Sequence, residues 1–175
     1  MKNQFHKIIF LLILITGCEG DDIVEEAKHV VQEGYGGGVI IYVDASGNHG
    51  LIADTVALGN VPWSNGENID IATDEYDGEG NTEKIVAVQG EGDYAAYLCY
   101  HSEANGYSDW YLPSHNESIK LLYLPDNARF NFGRKSCWSS TQRGSDNAWT
   151  IDIIFGGEFD VPKQNLIYVH AVRKF

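Results

Sequence analysis

Basic residues are scarce in this chain: twelve Lys and Arg stand against 25 Asp and Glu, a formal net charge of −13 at pH 7. Such a surface repels phosphate backbones and no basic stripe offsets it, so nucleic acid is excluded as a partner. Polyanionic glycans are poor ligands for the same reason. Long apolar runs are missing as well. Ile8 to Ile15 (IIFLLILI) holds eight residues, whereas a helix needs roughly 20 to span a bilayer. Catalytic spacings are absent too. Ser139, Ser140, His101, His115 and His170 are not linked by any nucleophile-elbow, His-x-x-x-His or Cys-x-x-Cys pattern, so no enzyme is expected. The glycines of Gly34–Gly38 are not followed by Gly-Lys-Ser/Thr, which removes a phosphate loop. No repeat of fixed period occurs.

What is present begins with a leader. Lys2 and Lys7 form a positive n-region and Ile8 to Ile15 a short apolar h-region, as in an export signal. Leu14-Ile15-Thr16-Gly17-Cys18 follows directly. Small residues before a cysteine resemble the lipobox of bacterial lipoproteins. There the leader is cut before the cysteine, the thiol is diacylated and the new amino terminus is acylated. The expectation is a chain lipid-anchored through Cys18 in the bacterial envelope, at the outer membrane or cell surface. At about 0.8 kcal/mol per buried methylene, three acyl chains make a lasting anchor. Removing residues 1–17 takes two lysines and no acid, leaving ten basic against 25 acidic residues, a formal charge of −15. Residues 18–33 read as an acidic tether, either a charged spacer or a surface-export signal, and residues 34–175 as one domain. With Cys18 lipidated, Cys99 and Cys137 remain. They are either a disulfide, as an oxidising compartment permits, or two separately buried thiols.

Along the domain, Val39–Val43 and His49–Ala53 flank turn residues 44–48 and read as a β-hairpin. Residues 54–92 read as loop-dominated. Asp93–Asn105 reads as a helix with Asp93 as cap and Tyr94, Tyr97, Leu98 and His101 on one face. A second helix starts at Ser114, where Ser114 and Glu117 form a capping box, carries Ile119, Leu122 and Tyr123 as its stripe, and ends at Pro125. The last third reads as strands. Cys137–Thr141 is short, Trp149–Phe155 has one strongly buried face, Gly156-Gly157 turns, and Glu158–Val161 and Ile167–Val172 follow. Strands, two helices and strands again predict an α+β domain with segregated helices.

Several motifs together then suggest a family. Gly37–Asp44, His49–Ala53 and Trp63 open it, Gly106-Tyr107-Ser108-Asp109-Trp110-Tyr111-Leu112-Pro113-Ser114 with Glu117 forms its centre, and Trp138-Ser139-Ser140-Thr141, Ala148-Trp149 and Val172-Arg173 close it. From about Gly36 to Phe175 the chain resembles a large family of bacterial envelope domains related to the carboxy-terminal domain of a collagen-like adhesin. The resemblance implies a C-type-lectin-like fold, with two helices packed on small antiparallel sheets, terminal strands paired and a loop-rich middle. That fold hosts glycan binders, protein binders, ice binders and a modifying enzyme with a reactive cysteine pair. The expected role is a non-enzymatic binding or adhesion module for a glycan or protein. The alternatives are a cysteine-dependent modifying enzyme or a structural envelope component.

Two candidate sites follow from residue chemistry. Asp74, Asp77, Glu79, Asn81 and Glu83 could supply oxygens to calcium, with Gly78 and Gly80 letting the backbone curl, or simply form a solvated acidic loop. The twelve-residue helix–loop–helix calcium pattern is absent. So are the Glu-Pro-Asn and Trp-Asn-Asp triplets of calcium-dependent lectins. Among the four tryptophans, Trp110, Trp138 and Trp149 sit in the family's structural motifs and are expected in the core. Trp63 lies in a loop and is the expected exposed platform for stacking a sugar.

Overall fold

A computed structural model describes residues 33–71, 73–124, 132, 135–153 and 155–175. The leader, Cys18 and the tether up to residue 32 lie outside the described residues, as do Pro125 and Ile154. The domain is α+β. The predicted hairpin is present as β2 (Gly38–Val43) and β3 (Gly50–Ala53), preceded by a short β1 (Glu33–Tyr35). β9 (Val172–Lys174) pairs antiparallel with β3, so the order in this four-stranded sheet is β1-β2-β3-β9. The second sheet has the order β4-β8-β5-β6-β7, built from β4 (Gly59–Val61), β5 (Ser136–Arg143), β6 (Asn147–Asp152), β7 (Gly157–Pro162) and β8 (Ile167–Val169). It is not wholly antiparallel as expected: β5 and β8 run parallel through Cys137 and Tyr168.

The helices depart furthest from the sequence reading. The longest, α1 (Gly78–Gln89), lies inside the stretch read as loop. Its buried residues are Gly78, Asn81, Thr82 and Ile85, at helical i, i+3, i+4 and i+7 positions. Three of the four are glycine or polar, so the stripe carries no apolar signal. Asp77 caps the helix, accepting from Gly80 N–H at 3.0 Å. α2 (Ala95–Tyr100) is shorter than predicted and starts after Tyr94 rather than Asp93; Ala95, Ala96 and Cys99 are buried beside Tyr94, Tyr97 packs partly against the core, and His101, expected on the same face, is exposed. α3 (His115–Ser118) is a single turn carrying the predicted capping box, and a 3₁₀ segment over Ile119–Tyr123 replaces the rest of the expected helix.

The main core packs Trp63, Trp110 and Trp138 with Ile52, Ile85 and Leu112 between the helices and the sheets. Each indole finds an acceptor: Trp63 Nε1 donates to Ser139 O at 2.8 Å, Trp138 Nε1 to Val61 O at 2.9 Å, and Trp110 Nε1 to Ala104 O at 3.0 Å. Lys163 is also fully buried, with Nζ 4.6 Å over the Trp63 ring and donating to Ile69 O and Gln142 Oε1, both at 2.9 Å. A second cluster, including Ile41, Leu51, Tyr111, Leu121 and Ile153, lies on the other side of β2 and β3. Two tryptophans therefore exchange their expected places. Trp63 is fully buried. Trp149, expected in the core, is half-buried and stacks on His115 with ring centroids 4.5 Å apart and planes at 8°. Phe155, expected on the buried face, is 89% exposed.

Candidate functional site

A cleft of about 450 Å³ lies where distant segments converge. The end of β2 and its turn supply Tyr42, Asp44 and His49, and β3 supplies Leu51. The carboxy-terminal strand brings Lys174 and Phe175, fastened by Gly50 N–H to Phe175 O at 3.1 Å and Phe175 N–H to Gly50 O at 3.2 Å. Glycine is required at position 50, because a Cβ there would meet Tyr42 O and stand 2.6 Å from the Phe175 ring. The opposite wall comes from Tyr76, α3 with Asn116 and Glu117, and Lys120.

That wall is held by a hydrogen-bonded relay. Asn116 N–H donates to Glu75 O at 3.0 Å, and Tyr76 N–H donates to Asp74 Oδ1 at 2.7 Å. Asn81 clamps Asp74, accepting from its N–H at 2.7 Å and donating to its carbonyl at 2.6 Å. The fixed segment carries Tyr76, which is nonetheless 74% exposed. Glu117, only 8% exposed, accepts from Ser114 N–H at 2.8 Å and from the Tyr111 hydroxyl at 3.0 Å. Burial raises its pKa against the pull of those donors. Glu117 also explains Gly78: a Cβ at 78 would run into Glu117 Oε2 and stand 2.6 Å from Ser114 N.

Charge in the cleft is balanced. Asp44 accepts from Ser46 Oγ at 2.6 Å and pairs with His49 Nδ1 at 3.2 Å. The Ser46 bond, helped by His49, prevails over desolvation and lowers its pKa. Lys174 pairs with Glu79 at 2.9 Å; burial opposes its charge, but Glu79 and neighbouring carboxylates prevail and raise its pKa. Lys120 Nζ lies 4.9 Å over the Tyr42 ring. A second cavity of about 330 Å³ is lined by Glu79, Glu83 and Asp109 beside Tyr100. Two of its carboxylates are already engaged, Glu79 by Lys174 and Asp109 by Arg173 at 2.7 Å.

The residues singled out in the sequence go elsewhere. Trp63 is core and offers no stacking face. The residues of the acidic stretch are engaged within the protein: Asp74 and Asn81 bond each other, Asp77 caps α1, Glu79 pairs with Lys174, and Glu83 lines the second cavity. Among the described residues no three His, Cys, Asp or Glu side chains are grouped to hold a metal ion. Cys99 and Cys137 are not bridged; both are free, buried and in different core clusters. Desolvation raises both thiol pKa values, with Asp54 adding to it at Cys99 and Asp152 at Cys137. Among the described residues no helix is long and apolar enough to cross a membrane.

Of the cleft residues, sequence reasoning had placed Glu117 as a cap and missed Tyr76, Asn116, Lys120 and Lys174. No short-range pattern joins them. No family model matches this sequence, and no curated protein matches it.

Proposed function

We propose that this chain is an envelope lipoprotein whose C-type-lectin-like domain is a non-enzymatic binding module, holding its ligand in the cleft between the β2–β3 turn and α3. The observation that carries this is the cleft itself: aromatic side chains beside paired charges, in a volume within the roughly 300–1,000 Å³ of small-ligand sites. The lectin-like reading is supported by the order of strands and helices and by β9 closing on β3. Anchoring rests on the run Ile8–Ile15 followed by Thr16-Gly17-Cys18. The cysteine-dependent enzyme loses ground, because Cys99 and Cys137 are unbridged, lie in different core clusters, and have thiol pKa values raised by burial.

Two measurements test the proposal. Wild type should incorporate palmitate and partition into detergent, whereas Cys18→Ser should do neither; identical behaviour removes the anchor. A ligand screen with the full chain, with and without calcium, should find binding that Tyr76→Ala weakens. Silence in every condition defeats the binding role.

A further inference from the structure

Resting on that reading of the cleft, we infer that its ligand is a neutral saccharide, bound without calcium. Tyr42, Tyr76, Leu51 and Phe175 give the cleft an apolar lining suited to the C–H face of a sugar ring. Tyr76 is exposed, yet its backbone is fixed through Asp74 and Asn116, so stacking on it orders little further chain. Among these rings stand polar groups that a purely apolar ligand would desolvate without matching: the amide oxygen and nitrogen of Asn116 and the Lys120 ammonium. Hydroxyls both donate and accept, so a sugar matches all of them.

Neutrality follows from the charges. Two lysines and two carboxylates line the cleft, and Lys174 is already held by Glu79. The chain as a whole carries −13, which repels polyanions. No metal is needed, because the polar groups are supplied directly by side chains. The exposed indole expected at Trp63 is thus replaced by tyrosines drawn from separate segments.

The test uses the full chain in zwitterionic detergent with EDTA, titrated with short gluco-, manno-, galacto- and N-acetylglucosamine oligosaccharides, and separately with heparin and polygalacturonate. At least one neutral oligosaccharide should bind. Tyr76→Ala and Asn116→Ala should each weaken it about tenfold with unchanged melting. Phe155→Ala, which removes an exposed aromatic outside the cleft, should bind like wild type. Binding of acidic glycans alone, loss of binding in EDTA, or neutral binding untouched by both cleft variants overturns the inference. If no sugar binds but envelope-extract ligands are retained by wild type and lost with Tyr76→Ala, the saccharide inference fails while the binding role stands. If nothing is retained at all, both fall.

Discussion

The Tyr111 hydroxyl donates a 3.0 Å hydrogen bond to Glu117 Oε1, joining a segment bridged to β9 to the cap of α3 beneath the cleft. Tyr111 also pairs its backbone with Val172, N–H and carbonyl both at 2.9 Å. One buried carboxylate therefore sits where the start of α1, the cap of α3 and the closing strand meet.

Glu117→Ala strands the Tyr111 hydroxyl and the Ser114 N–H in a dry site, which should cost about 2–4 kcal/mol in urea unfolding. Glu117→Gln keeps an acceptor and should cost less than half as much. Gly78→Ala should destabilise by about 1–3 kcal/mol, because the added methyl meets the carboxylate and the α3 backbone. Equal stability of all three with wild type would contradict the packing of these elements.

His170 is buried, with Nδ1 3.0 Å from Asp54 O, and desolvation lowers its pKa below 6.5 despite Asp54. Its depressed value gives stability that is present above 6.5 and lost as pH falls through the folded value. Melting temperature should therefore decline on acidification below neutrality, and His170→Gln should flatten that decline. Parallel curves for the two proteins would remove His170 as the cause.

Burial reverses the expected roles of two aromatics. Trp63→Ala should cost about 3–5 kcal/mol, because it empties core volume and leaves Ser139 O without its indole partner. Tyr76→Ala should stay within about 0.5 kcal/mol of wild type, being largely exposed. Chemical denaturation of the pair decides it.

Buried, protonated thiols should resist alkylation. Cys99 and Cys137 should label with iodoacetamide in denaturant and not in native buffer, and peptide mapping without reductant should find no bridge. Rapid native labelling of either would reopen the reactive-cysteine reading.

Local features were legible in the sequence, and those decided at long range were not. The Ser114–Glu117 cap was readable because both partners lie within one turn. The Val39–Ala53 hairpin was readable from its β-rich arms and turn residues. α1 was hidden because Asn81 and Thr82 face inward to hydrogen-bond Asp74, Ser140 and Leu112 rather than to pack apolar surface. Trp63 was misplaced because its burial depends on Ser139 and Lys163, far along the chain. The cleft was illegible for the same reason, being assembled from segments near residues 42–51, 76, 116–120 and 174–175.

The pairing of β3 with β9 sets an order of events during folding. Gly50 and Phe175 must meet across a loop of more than a hundred residues before Lys174 and Phe175 can line the cleft. A nascent chain holding only the first hairpin has Tyr42 but no pocket around it. Ligand engagement is thereby confined to molecules in which Phe175 has closed on Gly50.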